Sequence, residues 1–208
     1  MEKFTTLTAI AAPLERANVD TDVIIRVERC ARVPRAELGR YALEALRLKP
    51  DGAEDPGFIL NREPWRDAKI LVCGENFGCG SSREMAVWAL AGMGIRAIIA
   101  PSFGEIFRGN CFQNGLLAIR LPAATVESLM ARARDPATAR FTIDLAAQRV
   151  NGEVAFEIAE RRKRMLLEGL DELSLTLSLE PRIAAFQDAD RARAPWRYFP
   201  RHAGPASR

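Results

Sequence analysis

From Lys69 onward, apolar and polar positions fall into a regular order. Ile70-Leu71-Val72-Cys73 is a short continuous apolar run, the pattern of a strand covered on both faces. Gly74 to Gly80 follows as a loop with three glycines. Ser81-Ser82-Arg83-Glu84 has the S-x-x-E form of a capping box and predicts a helix over 85–93, stopped by Gly94. Ala97-Ile98-Ile99-Ala100 predicts the next buried strand, closed by Pro101. A helix over 104–113 ends at Asn114-Gly115, a third strand spans 116–121, and a third helix spans 125–134 with Thr125 as its N-cap. Strands alternating with helices predict an α/β fold: a parallel or mixed central sheet flanked by helices.

The flanks are less regular. Residues 1–25 alternate and then reach Val23-Ile24-Ile25, which predicts one or two strands with a loop at 18–22. Residues 35–48 read as a helix and 49–57 as a loop. Further on, 141–150 and 153–158 flank Asn151-Gly152, a strong hairpin signal. A basic helix over 160–167 is stopped by Gly169, and Leu173 to Leu179 alternates like a final strand. The expected organisation is one domain over 1–187 and a disordered Arg- and Pro-containing tail over 188–208.

Composition narrows the chemistry. The formal net charge of +3 is mild, and the tail holds five Arg against two Asp, so the body is near neutral and carries no nucleic-acid footprint. The run Arg161-Arg162-Lys163-Arg164 reads as a solvated face. No apolar run reaches the roughly 20 residues that span a bilayer, and the N-terminus lacks a signal-peptide pattern, so a cytoplasmic chain is expected. Cys30, Cys73, Cys79 and Cys111 form no C-x-x-C pair and read as reduced thiols. The single histidine, His202, lies in the tail. A Ser-His-Asp triad, a Cys-His pair and a histidine metal site are therefore nearly excluded from the body.

The most informative segment is Glu75-Asn76-Phe77-Gly78-Cys79-Gly80-Ser81-Ser82-Arg83-Glu84. A strand, a glycine-rich turn and a helix N-terminus in succession make a place for anions, because the first helical turn has free N–H groups and partial positive charge. Arg83 adds a planar cation suited to a carboxylate, and Ser81 and Ser82 add two hydroxyls. The same pattern also describes a tight turn with Ser81 as a simple cap. The third glycine of a dinucleotide fingerprint and the Lys-Ser/Thr of a P-loop are both absent.

This segment, with Ala86 and Trp88-Ala89-Leu90, closely resembles the signature of isopropylmalate dehydratase small subunits in the aconitase superfamily. Three more motifs are similar to that family's and occur in its order: Ala17-Asn18-Val19-Asp20-Thr21-Asp22 with Ile24-Ile25; Ile98 to Phe103 with Ile106-Phe107 and Gly109-Asn110; and Gly169-Leu170-Asp171 with Leu175-Thr176-Leu177. The motifs lie between Ala17 and Leu177, and the resemblance runs from about residue 5 to residue 187. The resemblance implies an aconitase-type swivelling β/β/α domain. It also implies a hydro-lyase subunit that is inactive without a large iron–sulfur subunit and acts with it on a small hydroxy-carboxylate. A 4Fe–4S cluster is expected on that partner, with no metal ligand and no cofactor in this chain, and no nucleic-acid or membrane partner.

Residue by residue, the resemblance implies Ser81 as the catalytic base and Asp22 as a second catalytic group. Arg83 would grip a substrate carboxylate, with Ser82, Gly80 and Thr21 lining the site. A metal-bound Lewis acid could draw off the hydroxyl, and a serine alkoxide needs preorganised positive charge to act as base. A serine spent on capping its own helix would not be free to do so.

Two departures bear on the substrate. The family pattern continues Ser-Ser-Arg-Glu with His-Ala-Pro, whereas this chain has Met85-Ala86-Val87. It also continues Ile-Ile with Pro, whereas here Ile24-Ile25 runs into Arg26-Val27-Glu28-Arg29-Cys30. Arg26, Arg29 or Arg32 would suit an extra carboxylate, so a related subunit for a citramalate-, dimethylmalate- or homoaconitate-like acid is the alternative to 2-isopropylmalate. A regulatory RNA-binding protein is a more distant one.

Overall fold

The computed structural model describes residues 1–198. Its contacts divide the chain into a large unit, Met1–Asp171, and a small one that begins at Glu172. The division falls at Asp171 rather than at residue 187.

The large unit holds the strands β1 (Thr6–Leu14), β2 (Ile70–Cys73), β3 (Ala97–Ala100), β4 (Leu117–Arg120), β5 (Arg140–Asp144), β6 (Arg149–Val150) and β7 (Val154–Ala155). Its helices are α1 (Thr21–Ile24), α2 (Val27–Arg32), α3 (Glu44–Arg47), α4 (Glu84–Gly92), α5 (Glu105–Gln113), α6 (Ala123–Arg134) and α7 (Glu160–Glu168). The small unit contains α8 (Glu172–Leu177) and α9 (Glu180–Arg193). Among the described residues no helix is long and apolar enough to cross a membrane.

The strands make one mixed sheet in the order β4-β3-β2-β1-β5-β6-β7. β1 is the point of change. Its first half, Thr6 to Ile10, pairs antiparallel with β5, and its second half, Ala11 to Leu14, pairs parallel with β2. Every residue of β2 and β3 is buried, which is why those runs are wholly apolar. The sheet is the expected mixed one, and helices α4, α5 and α6 alternate with β2, β3 and β4 as the pattern predicts.

Several local readings differ. Ile24 lies in α1 rather than in a strand, because Asp20 Oδ1 accepts a hydrogen bond from the Val23 backbone at 2.7 Å and caps a helical turn. The helix expected over 35–48 is a 3-10 stretch (Arg35–Tyr41) and then α3, with Leu43 left-handed between them at φ 56°. The 3-10 stretch crosses α4 backbone to backbone, since a Cβ on Gly39 would lie 2.2 Å from the Gly92 carbonyl carbon.

Asn151 and Gly152 both take positive φ and join β6 to β7, as their pairing signal requires. The run before them is not one strand, because it folds back between β5 and β6 with Gln148 left-handed. α6 starts at Ala123 after an N-cap at Pro122, so Thr125 is not its cap.

In the small unit, Leu173–Leu179 is not a strand; most of it is α8. Thr176 Oγ1 donates to the Glu172 carbonyl at 2.9 Å, the back-bond to residue i−4 that helical geometry makes possible. The tail expected to be disordered from 188 is instead helical to Arg193. Asp190 accepts bonds there from Arg193 (2.9 Å), Arg197 (3.3 Å) and Tyr198 (3.1 Å). His202 lies outside the described residues.

Candidate active site

The signature loop leaves β2 at Gly74 and takes left-handed backbone at Asn76, Gly78 and Gly80. At Gly78 glycine is required twice over: φ is +72°, and a Cβ would lie 2.2 Å from the Phe107 ring. The loop runs between two other segments as an irregular continuation of the sheet. On one side the Asn18 amide donates to Glu75 O (2.9 Å), the Gly78 amide to Val19 O (2.7 Å) and the Thr21 amide to Cys79 O (3.0 Å). On the other side the Phe77 amide donates to Ser102 O (3.1 Å) and the Gly104 amide to Phe77 O (2.9 Å). Three sequence motifs far apart in the chain thus lie side by side, in the order of the strands they follow.

The functional side chains emerge where this ladder ends. Thr21 is buried, and its Oγ1 donates to the Ser81 carbonyl at 3.0 Å. Ser81 and Ser82 are exposed, and neither hydroxyl has a hydrogen-bond partner among the described residues. Arg83, with its side chain 20% exposed, donates to Asp22, which is 55% exposed, in a close ion pair. That bond raises the guanidinium's basicity above its usual value, against the opposing effect of burial.

The capping-box reading fails at its first position. The N-cap of α4 is Arg83, with no capping side chain, so Ser81 is not spent on the helix. Glu84 does not reach back either. Its Oε1 accepts from Asn114 Nδ2 at 2.8 Å, while Asn114 Oδ1 accepts from Trp88 Nε1 and from Arg35, both at 3.0 Å. Sequence reasoning read Asn114 only as a helix stop, and nothing in its spacing signals this hub. Met85 is half-buried against the core and Val87 is fully buried, so both departures from the family pattern serve packing.

Thr21, Asp22, Gly80, Ser81 and Arg83 are therefore brought together, with Ser82 between the last two. Arg26 and Arg29 are not part of this cluster. Arg29 binds both oxygens of Glu44 at 3.0–3.2 Å and lies 4.2 Å from the Tyr41 ring centre, and Arg26 Nε is 3.7 Å from the same carboxylate. Glu44, only 7% exposed, draws both cations because a buried carboxylate without a partner is costly. Sequence gave no signal for Glu44.

Removing the Thr21 tether gives a direct test of the loop's support. Thr21→Val should cost about 1 kcal/mol in chemical denaturation, the net value of one such bond. Amide exchange over residues 80–83 should quicken at the same time.

Burial raises the thiol pKa of Cys73 and Cys111, and also that of Cys30, where Arg83 pulls down and Asp22 pushes up more weakly. Cys73 and Cys111 are wholly buried, and no group of three or more His, Cys, Asp or Glu among the described residues could hold a metal. The residues present do not fit an iron–sulfur cluster.

The aconitase C-terminal domain family matches residues 1–124. The 3-isopropylmalate dehydratase small subunit of Paramagnetospirillum magneticum is 48% identical over 200 residues, which is 94% of this chain and 100% of that one. That of Granulibacter bethesdensis is 50% identical over 211 residues, covering both chains in full. The crystal structure of 3-isopropylmalate dehydratase from Methanocaldococcus jannaschii superimposes with a TM-score of 0.61 at 26% identity, over 88% of this chain and 99% of that one. The chain belongs to the aconitase C-terminal domain family, among the small subunits of 3-isopropylmalate dehydratase.

Proposed function

We propose that this chain is the small-subunit half of a cytoplasmic hydro-lyase that interconverts 2-isopropylmalate and 3-isopropylmalate by dehydration and rehydration, in the synthesis of leucine. The observation that carries the reading is the Arg83–Asp22 pair. It joins two motifs 61 residues apart and leaves the Ser81 hydroxyl unspent beside it.

In this reading Arg83 binds a substrate carboxylate through donors that Asp22 does not occupy, and Asp22 fixes the plane of the guanidinium fork. Ser81 Oγ takes the proton from the carbon next to the one that loses its hydroxyl. The C–H electron pair becomes the new C=C bond and the hydroxyl leaves as hydroxide, which takes up a proton from solvent to become water; rehydration in the opposite sense moves the hydroxyl to the neighbouring carbon. An oxygen base of this strength needs nearby positive charge, which Arg83 and the uncapped start of α4 provide. Ser82, Gly80 and Thr21 shape the pocket wall. The cluster belongs, in this proposal, to the large subunit.

The charged 26–32 loop does not require a more acidic substrate. Arg26 and Arg29 are both directed to Glu44, while Arg32 is exposed. Arg29→Ala should therefore lower stability by about 1.5–3 kcal/mol, the range for a hydrogen bond to a charged group. It should leave the ratio of kcat/KM for 2-isopropylmalate over homocitrate, which carries a third carboxylate, unchanged. A shift of that ratio toward 2-isopropylmalate would place Arg29 at the substrate instead.

The deciding experiment is anaerobic reconstitution with the large subunit, following absorbance of the unsaturated intermediate. Turnover of 2-isopropylmalate, abolished when either subunit is omitted, is expected. Turnover of only another hydroxy-acid would move the enzyme to a different pathway.

A further inference from the structure

A second polar concavity lies in the large unit, at the carboxyl ends of β3 and β4. It encloses about 960 Å³, and its walls include Arg108, Arg120, Ser102, Gln148, Glu75 and Glu157. It shares no residue with the Ser81, Arg83 and Asp22 cluster.

Arg108 and Arg120 of the wall and the neighbouring Arg162 gather here, and among the described residues the Glu75 and Glu157 carboxylates of the same wall reach none of them within ion-pair distance. Arg108 and Arg162 flank the Phe112 ring, with guanidinium carbons 5.7 and 4.6 Å from its centre. Burial, and then the like charge of Arg162, lower the basicity of Arg108; Glu105 opposes them, and Arg120 adds a weaker push in the lowering direction. Among the described residues none of the three forms an ion pair, and Arg108 Nε is buried with no hydrogen-bond partner. Such an arrangement is unfavourable unless an anion joins it.

Other donors converge on the same space. Pro122 and Ala123, at the start of α6, line the crevice; that helix has neither a capping side chain nor an acidic residue in its first turn. Ala159, the N-cap of α7, lines it too and also offers no side-chain cap, although Glu160 follows it. The free N–H groups and partial charge of both helix starts favour an anion. The Ser102 oxygen is already an acceptor for the Asn76 amide at 2.8 Å, so its proton is left to donate.

We propose that this crevice is an anion site separate from the Ser81, Arg83 and Asp22 cluster, built for a phosphate-bearing small molecule. A phosphate monoester carries close to two charges and three acceptor oxygens, which suits guanidinium forks converging from several directions better than a planar carboxylate does. The volume leaves room for an organic portion. Because Ser102 holds Asn76 and Glu75 lines the wall, the site touches the root of the catalytic loop.

Calorimetric titration of the full chain with pyrophosphate, at fixed ionic strength, tests this without any need for turnover. One saturable site is expected. Arg108→Gln should weaken it about tenfold or more, the effect of one charge-assisted bond. Arg120→Gln, on the exposed rim, should weaken it in the same direction without risk to the fold. Arg83→Gln should leave it unchanged. Absence of saturation would overturn the proposal, as would a loss of binding in Arg83→Gln with none in the crevice variants. The titration is then repeated with the large subunit bound. Retained affinity is expected; abolished affinity would make the crevice part of the subunit contact and also overturn the proposal.

Discussion

Ser81→Ala should lower kcat by about 10²–10⁴-fold in the reconstituted complex, the usual contribution of a positioned general base. KM should move little, because the carboxylate grip resides in Arg83 and its pair with Asp22 is untouched. The fold should not suffer either. The Ser81 side chain is exposed and makes no hydrogen bond among the described residues, and its carbonyl, which Thr21 holds, survives the substitution. Stability is thus expected within about 0.5 kcal/mol of the parent. Arg83→Lys should behave in the complementary way. A lysine keeps the charge but loses the fork, so KM should rise and the partner Asp22 should be held less firmly. Steady-state kinetics on the two variants separate the roles. A Ser81→Ala enzyme with near-normal kcat would remove the serine from the chemistry and leave only the anion grip.

Gly104→Ala should damage both stability and activity, although its backbone is ordinary. A Cβ at Gly104 would lie 2.3 Å from the Gly78 carbonyl oxygen and 3.1 Å from the Cys79 Cα. Both atoms belong to the signature loop, and neither can step aside without moving that loop. Overpacking of this kind costs about 1–3 kcal/mol. Since the displaced backbone leads directly to Ser81, kcat should fall as well. Gly109→Ala is the natural comparison. It lies within α5, and nothing stands within 4 Å of its added methyl. That change should be neutral or stabilise by up to about 1 kcal/mol, through helix propensity alone. Equal effects of the two substitutions in thermal unfolding and turnover would mean that contact with the loop is not what matters at Gly104.

The sequence by itself determined the alternation of β2, α4, β3, α5, β4 and α6, because wholly apolar runs and helix stops are local signals. It also marked the loop from Glu75 to Glu84 as the place of chemistry, through glycines beside hydroxyls and an arginine, and four ordered motifs pointed to the family. Local signals failed where a distant partner set the outcome. Ser81 looked like a cap, yet the chain passes it by and caps nothing, since Thr21 pulls on its carbonyl and Asp22 on Arg83. Arg26 and Arg29 looked like free cations for a substrate, yet a buried Glu44 some fifteen residues away claims them. Leu173 to Leu179 alternated like a strand, and α8 formed there instead, with the Thr176 hydroxyl turned back on the Glu172 carbonyl and Ser178, just past the helix, on that of Leu175. Only the tertiary structure decided which charges are neutralised and which remain available, because that depends on what packing brings within a few ångströms. It assigned Glu44 to two arginines, Asp22 to one and, among the described residues, no carboxylate within ion-pair distance to Arg108, Arg120 and Arg162.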